Sequence, residues 1–213
     1  RAHDAVVQMS EFARDNYRLA VELIWKFDAK KLERLNETEV ALDKLEGLLD
    51  NYLVKLTDRA LTAEESTRVS ELLHTLSDFE RIGDYAVNVS ESAVVLHDRN
   101  ITFSPQARAE LERLTAAVGE TLDKTVACYQ SRQRTLAVQV EPLEEVVDLI
   151  AATLKNRHVE RLKAGECTIE LGTQFLELLI NLERMSDHCS NVALHILRQT
   201  SSPDDKVRID SHA

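Results

Sequence analysis

Residues 72–91 read LLHTLSDFERIGDYAVNVSE, and residues 175–194 read FLELLINLERMSDHCSNVAL. Superposed, the two stretches share Glu80 with Glu183, Arg81 with Arg184, Asp84 with Asp187, Asn88 with Asn191 and Val89 with Val192. In each copy Glu, Asp and Asn stand at i, i+4 and i+8, which on an α-helix forms one oblique row on a single face. Leu73, Leu76 and Val87 lie on nearly the same side as Glu80, so the row is half-buried, and like charges four residues apart repel. A carboxylate pair in that position calls for a counter-charge. Carboxylate and amide oxygens bind hard metal ions and also iron and zinc, which makes a bound cation the first candidate.

The rest of the chain supplies scaffolds for these two rows. Its 213 residues suffice for a real core, as one large domain or two smaller ones. Hydrophobic residues at 44% with only 5 Gly and 3 Pro favour long helices over a strand-and-turn architecture. The fold class is therefore all-α. A formal net charge of −11 argues against nucleic acid as a partner and fits a protein whose acids gather cations. Cys128, Cys167 and Cys189 form no C-x-x-C pair, and an odd number is a poor disulfide framework. A reducing compartment follows. No apolar run reaches the roughly 20 residues of a membrane span, and the chain opens without a signal segment. It also begins at Arg1 inside a helical pattern, which suggests a piece of a longer protein.

Apolar periodicity predicts a first helix over about 5–27 and a second, capped by Asp28, to about 56. Thr62 with Glu65 is a capping box opening a third helix to about 97. Ser104 and Pro105 read as N-cap and first residue of a fourth helix to about 130. A fifth is predicted over about 134–163, with Pro142 bending or delaying its first turns, and Gly165 as its stop. The sixth, about 168–198, carries the second acidic row, and 201–213 reads as a frayed tail. Six helices thus fall into two three-helix repeats, 1–98 and 99–200.

Each repeat contains a second acid pair, Glu39 with Asp43 on helix two and Glu144 with Asp148 on helix five. Helices joined by a short turn run antiparallel. At 1.5 Å per residue the paired acids then lie within roughly 5 Å of the same height. Four carboxylates at one level repel strongly without cations. The candidate metal ligands are Glu80, Asp84, Glu183, Asp187, Glu39, Asp43, Glu144 and Asp148, with Asn88, Asn191 and His188 as additional ones.

Arg81 and Arg184 read as salt-bridge partners of the adjacent acids. His188 and Cys189 are neighbours that point about 100° apart on a helix, so at most one could join the site. The basic segment 155–163, with Arg157, His158 and Arg161, reads as a solvated helix end favoured by the dipole, with docking on a membrane-proximal partner as the alternative. Catalysis has little support: the one Glu-x-x-His, Glu71 with His74, lies off the acidic row, and no phosphate loop or nucleophile elbow is present.

ERIGDYAVNVSE and NLERMSDHCSNVA resemble the duplicated Glu-x-x-x-Asp motif of PhoU domains. The closing segment, with Arg157-His158, Gly165-Glu166-Cys167 and Asp187-His188-Cys189-Ser190-Asn191, resembles the PhoU-like C-terminal domain of bacterial sodium/phosphate cotransporter family proteins. This resemblance implies two pseudo-symmetric three-helix bundles. It also implies multinuclear clusters of iron or zinc on the acidic faces, and manganese is a further candidate for the same carboxylates. It further implies a regulatory rather than enzymatic role on the cytoplasmic side, tethered to the inner membrane through an N-terminal transmembrane domain. The partner would be a membrane transporter domain in cis or in trans, with a homodimer as a further candidate. Alternatives are a free-standing PhoU regulator docking on a phosphate-uptake transporter and its sensor kinase, a metal-free helical scaffold, and a carboxylate-bridged metal enzyme. Tyr85, where His is often found in the family, and Pro142 depart from the pattern.

Overall fold

The computed structural model describes residues 2–57 and 60–200, with the side chains of 199 and 200 left out; the predicted tail, 201–213, lies outside the described residues. Among the described residues the chain is all-helical, in the order α1 Ala2–Trp25, α2 Ala29–Thr57, α3 Ala63–Asp98, α4 Pro105–Ser131, α5 Arg134–Ala137, α6 Val140–Lys163 and α7 Ile169–Thr200.

The predicted starts and stops have the expected physical causes. Asp28 Oδ1 accepts from the Lys30 amide at 2.9 Å at the start of α2. Thr62 and Glu65 close a reciprocal capping box on α3, and Ser104 caps α4 with Pro105 at its first position. Gly165 takes φ +70° beyond α6, the left-handed stop that glycine adopts without a side-chain clash. The fifth predicted helix needs a correction. It is split into the single turn α5 and the long α6, and Pro142 falls in the first turn of α6, where a missing N–H leaves no helical bond unmade.

α1, α2 and α3 pack on one another, as do α4, α6 and α7. The two sets meet where α3 lies along α7 and α1 along α4. Phe79, Ile82 and Met9 from one set and Leu122, Leu178 and Met185 from the other are fully buried members of a single continuous core. Each such side chain contributes about 1.5–3 kcal/mol of burial. Four helices thus form the centre, and α2 and α6 flank it on the outside, each presenting its acid pair toward α3 or α7.

Candidate functional site

The acidic faces are built from α2 against α3 and from α6 against α7. Close approach in the first repeat depends on Gly83, between Glu80 and Asp84. A Cβ there would lie 2.9 Å from Leu42 Cδ1 and 3.3 Å from Glu39 Oε2. Leu42 is fully buried, so α2 is pressed against α3 with the Glu39 carboxylate over the glycine. Asn16 of α1 donates its amide to Glu39 Oε2 at 3.2 Å.

In the second repeat Glu144, Asp148 and Asp187 each offer a carboxylate oxygen, and these lie within 4.8 Å of one another; among the described residues it is the only such trio of metal-ligating side chains. Glu183, the fourth expected ligand, instead holds an ion pair with the Lys155 ammonium. Arg184 Nη1 stands 3.5 Å from Asp187 Oδ2, and Arg81 stands 3.8 Å from both Glu80 and Asp84, matching the expected salt-bridge roles.

Electrostatics report the same crowding. Burial, followed by the charges of Asp43 and Asp84, pushes Glu39 up to about 7. Burial and then Asp84 push Glu80 up to about 7. Glu144 also rises to about 7, through burial and then Asp148 and Asp187. Asp148 and Asp187 are raised by burial and by acids of the facing helix, and Glu46 by burial and then Asp43, Asp50 and Asp84. The paired acids of α2 and α3, and of α6 and α7, are therefore near neighbours, as the equal-height geometry requires.

Asn88, Asn191 and His188, expected as additional ligands, are placed elsewhere. Asn88 Nδ2 donates to Asn181 Oδ1 at 3.1 Å, and Asn191 Nδ2 donates to Asp78 Oδ1 at 3.3 Å. His188 Nδ1 lies 2.9 Å from the same Asp78 oxygen, with its ring stacked on Tyr85. These three side chains join α3 to α7. The basic segment is only in part a solvated helix end, with Arg157 and Lys163 exposed. His158 is buried, and Arg161 and Arg157 both reach the buried Glu110, at 2.8 Å and 3.3 Å.

Lys155, Glu46 and Asp50 were not singled out in the sequence. A signal existed: Glu46 and Asp50 continue the Glu39–Asp43 stripe at i+7 and i+11, one helix face.

The donor set suits a cation. It consists of carboxylate oxygens, the ligands of manganese and iron and, less exclusively, of zinc. Ions with metal–oxygen distances of about 2.0–2.2 Å span opposed oxygens roughly 4.2 Å apart, so a small inward shift closes the trio of the second repeat. The residues that would hold an ion there are Glu144, Asp148 and Asp187. In the first repeat they would be Glu39, Asp43, Glu80 and Asp84. A bound ion would supply positive charge in place of the protons that the raised Glu39, Glu80 and Glu144 carboxyls retain.

The PhoU domain family model matches twice, over residues 6–93 and 111–196. The chain is 24% identical over 193 residues to a phosphate-specific transport system accessory protein PhoU homolog of Xylella fastidiosa, covering 90% of this chain and 80% of that protein. It is 21% identical over 179 residues to PhoU homolog 1 of Thermotoga maritima, covering 84% and 76%. Its fold matches the crystal structure of PhoU from Pseudomonas aeruginosa with a TM-score of 0.85 at 21% identity, covering 93% of this chain and 96% of that one. The phosphate transport system regulatory protein PhoU from Streptococcus pneumoniae matches with a TM-score of 0.80 at 16% identity, covering 94% of each. With both repeats matched by the family model, and each match carrying its own acidic row, the chain belongs to the PhoU domain family.

Proposed function

We propose that this protein is an accessory regulator of phosphate transport whose two acidic helix faces are held together by bound metal ions. The observation that carries the cation reading is the convergence of Glu144, Asp148 and Asp187 within 4.8 Å. The raised carboxyls, pushed up first by burial and then by neighbouring acids, are supporting evidence, because a nearby cation would offset both effects. Cation binding draws α6 toward α7 and α2 toward α3, and so sets the shape that a transporter meets.

The relatives' printed names, accessory proteins of phosphate-specific transport, support a regulator acting on a separate transporter. They give less support to the reading as the C-terminal part of a sodium/phosphate cotransporter. They also favour a regulatory over a catalytic role. No described helix is long and apolar enough to cross a membrane.

The test uses a bacterium whose own PhoU-family gene is deleted. The wild-type chain restores phosphate-dependent control of uptake, whereas Asp148→Ala with Asp187→Ala folds, holds less metal by elemental analysis and restores control poorly. A variant that loses metal yet regulates normally would separate the ions from the function. A wild-type chain that binds metal but leaves phosphate uptake unaltered would overturn the regulatory assignment.

A further inference from the structure

The two acidic faces are not equivalent, and the difference lies in the flanking helices. Superposing the buried Leu35, Leu42 and Leu49 of α2 on the buried Val140, Val147 and Leu154 of α6 brings Glu39 over Glu144 and Asp43 over Asp148. In that register Asp50 falls over Lys155, and Glu46 over Ala151. The first face therefore adds Glu46 and Asp50 to Glu39, Asp43, Glu80 and Asp84, with Arg81 as the cation beside it. The second face has Glu144, Asp148, Glu183 and Asp187, with Glu141 and Glu145 within electrostatic reach of Glu144, and two cations, Arg184 and Lys155, already paired with its row.

We infer that Lys155 is a resident cation of the second face, its ammonium occupying at Glu183 the position a metal ion would otherwise take, so that the two repeats carry unequal metal loads. The inference rests on the cation reading of these faces proposed above. The second face closes over Glu144, Asp148 and Asp187 with the smaller load. The first, with acids where the second has Lys155 and Ala151, takes the larger one.

Charge explains why the tight trio forms in the second repeat. Lys155 pairs with Glu183 and its positive charge also acts on Asp148, which offsets part of the repulsion where the three carboxylates lie within 4.8 Å. The first repeat holds more uncompensated charge, and its acids repel one another more strongly. Asp50 and Asp84 both act on Glu46, and Glu46 acts on Glu80, so the extra acids are within electrostatic reach of the row. Lys155 fills this role through its charge, a compact ammonium on a flexible stem that reaches the Glu183 carboxylate.

The experiment counts bound Mn2+ per chain by equilibrium dialysis on the wild type and on Lys155→Met, Lys155→Arg and Asp50→Lys, with circular dichroism melts as the folding control. Lys155→Met is expected to gain about one ion, Lys155→Arg to keep the wild-type number, and Asp50→Lys to lose about one. If Lys155→Met does not fold, Asp50→Lys tests the same claim from the other repeat. Wild-type binding with an unchanged count in Lys155→Met and Asp50→Lys overturns the role of Lys155 and leaves the cation faces standing. A wild type that takes up no Mn2+ overturns both.

Discussion

Asn88 of α3 donates its side-chain amide to Asn181 of α7, and Asn191 of α7 donates in turn to Asp78 of α3. The two bonds are the same contact seen from either repeat, and they show that α3 and α7 run antiparallel across the joint. Asn88→Ala together with Asn191→Ala should therefore weaken the joint and leave the acidic faces alone. Each bond is worth about 0.5–1.5 kcal/mol. Urea denaturation is expected to show a loss of about 2 kcal/mol for the pair, with bound metal unchanged by elemental analysis. A fall in metal content comparable to that of an acid variant would return the asparagines to the ligand set.

Metal-free protein should lose stability as pH rises. Glu39, Glu80 and Glu144 have folded values of about 7, above their ordinary 4.5. Between those values the folded chain binds more protons than the unfolded one, so unfolding becomes easier as pH increases through the window. The thermal midpoint of chelator-treated protein is expected to be higher at pH 5 than at pH 8, and added Mn2+ should recover most of the difference at pH 8. A midpoint that rises with pH in the metal-free state would contradict the crowding.

Gly83→Ala sets two effects against each other. Alanine gains about 1 kcal/mol of helix propensity, while its Cβ would stand 2.9 Å from the fully buried Leu42 side chain. Overpacking a core costs about 1–3 kcal/mol, so a net loss of about 1 kcal/mol is expected in chemical denaturation, with Glu39 displaced from Asp84 and fewer ions bound. Unchanged stability and metal content would mean that α2 can move off α3 freely.

Glu110→Ala removes the shared partner of Arg161 and Arg157. Arg161 is largely buried, and leaving a buried charge unpaired costs about 3–5 kcal/mol. Urea titration should therefore show a larger loss than for alanine at the exposed pair Arg18–Asp123, where the cost is about 0–1 kcal/mol. Similar losses at the two sites would show that the pocket around His158 admits water.

The duplicated row Glu80, Asp84, Asn88 and Glu183, Asp187, Asn191 carried most of what was legible in sequence: an all-helical chain, two repeats, and acids brought to one level. Helical periodicity, capping residues and rise per residue are local properties, so they can be read one element at a time. Glycine and proline signals worked for the same reason, except that the split between α5 and α6 shifted Pro142 from a helix interior to a first turn.

Tertiary structure decided what each polar side chain faces. The i+8 asparagines lie on the acidic row in projection, yet the packing of α3 along α7 turns them, with His188, to the joint. The segment 155–163 looked solvated because its charges are local, while its partner Glu110 lies on another helix, 51 residues from Arg161. Lys155 likewise became an ion-pair partner of Glu183 only once α6 lay against α7. A sequence specifies the face on which a side chain stands; the partner across that face depends on interhelical distance and rotation, which only the assembled core sets.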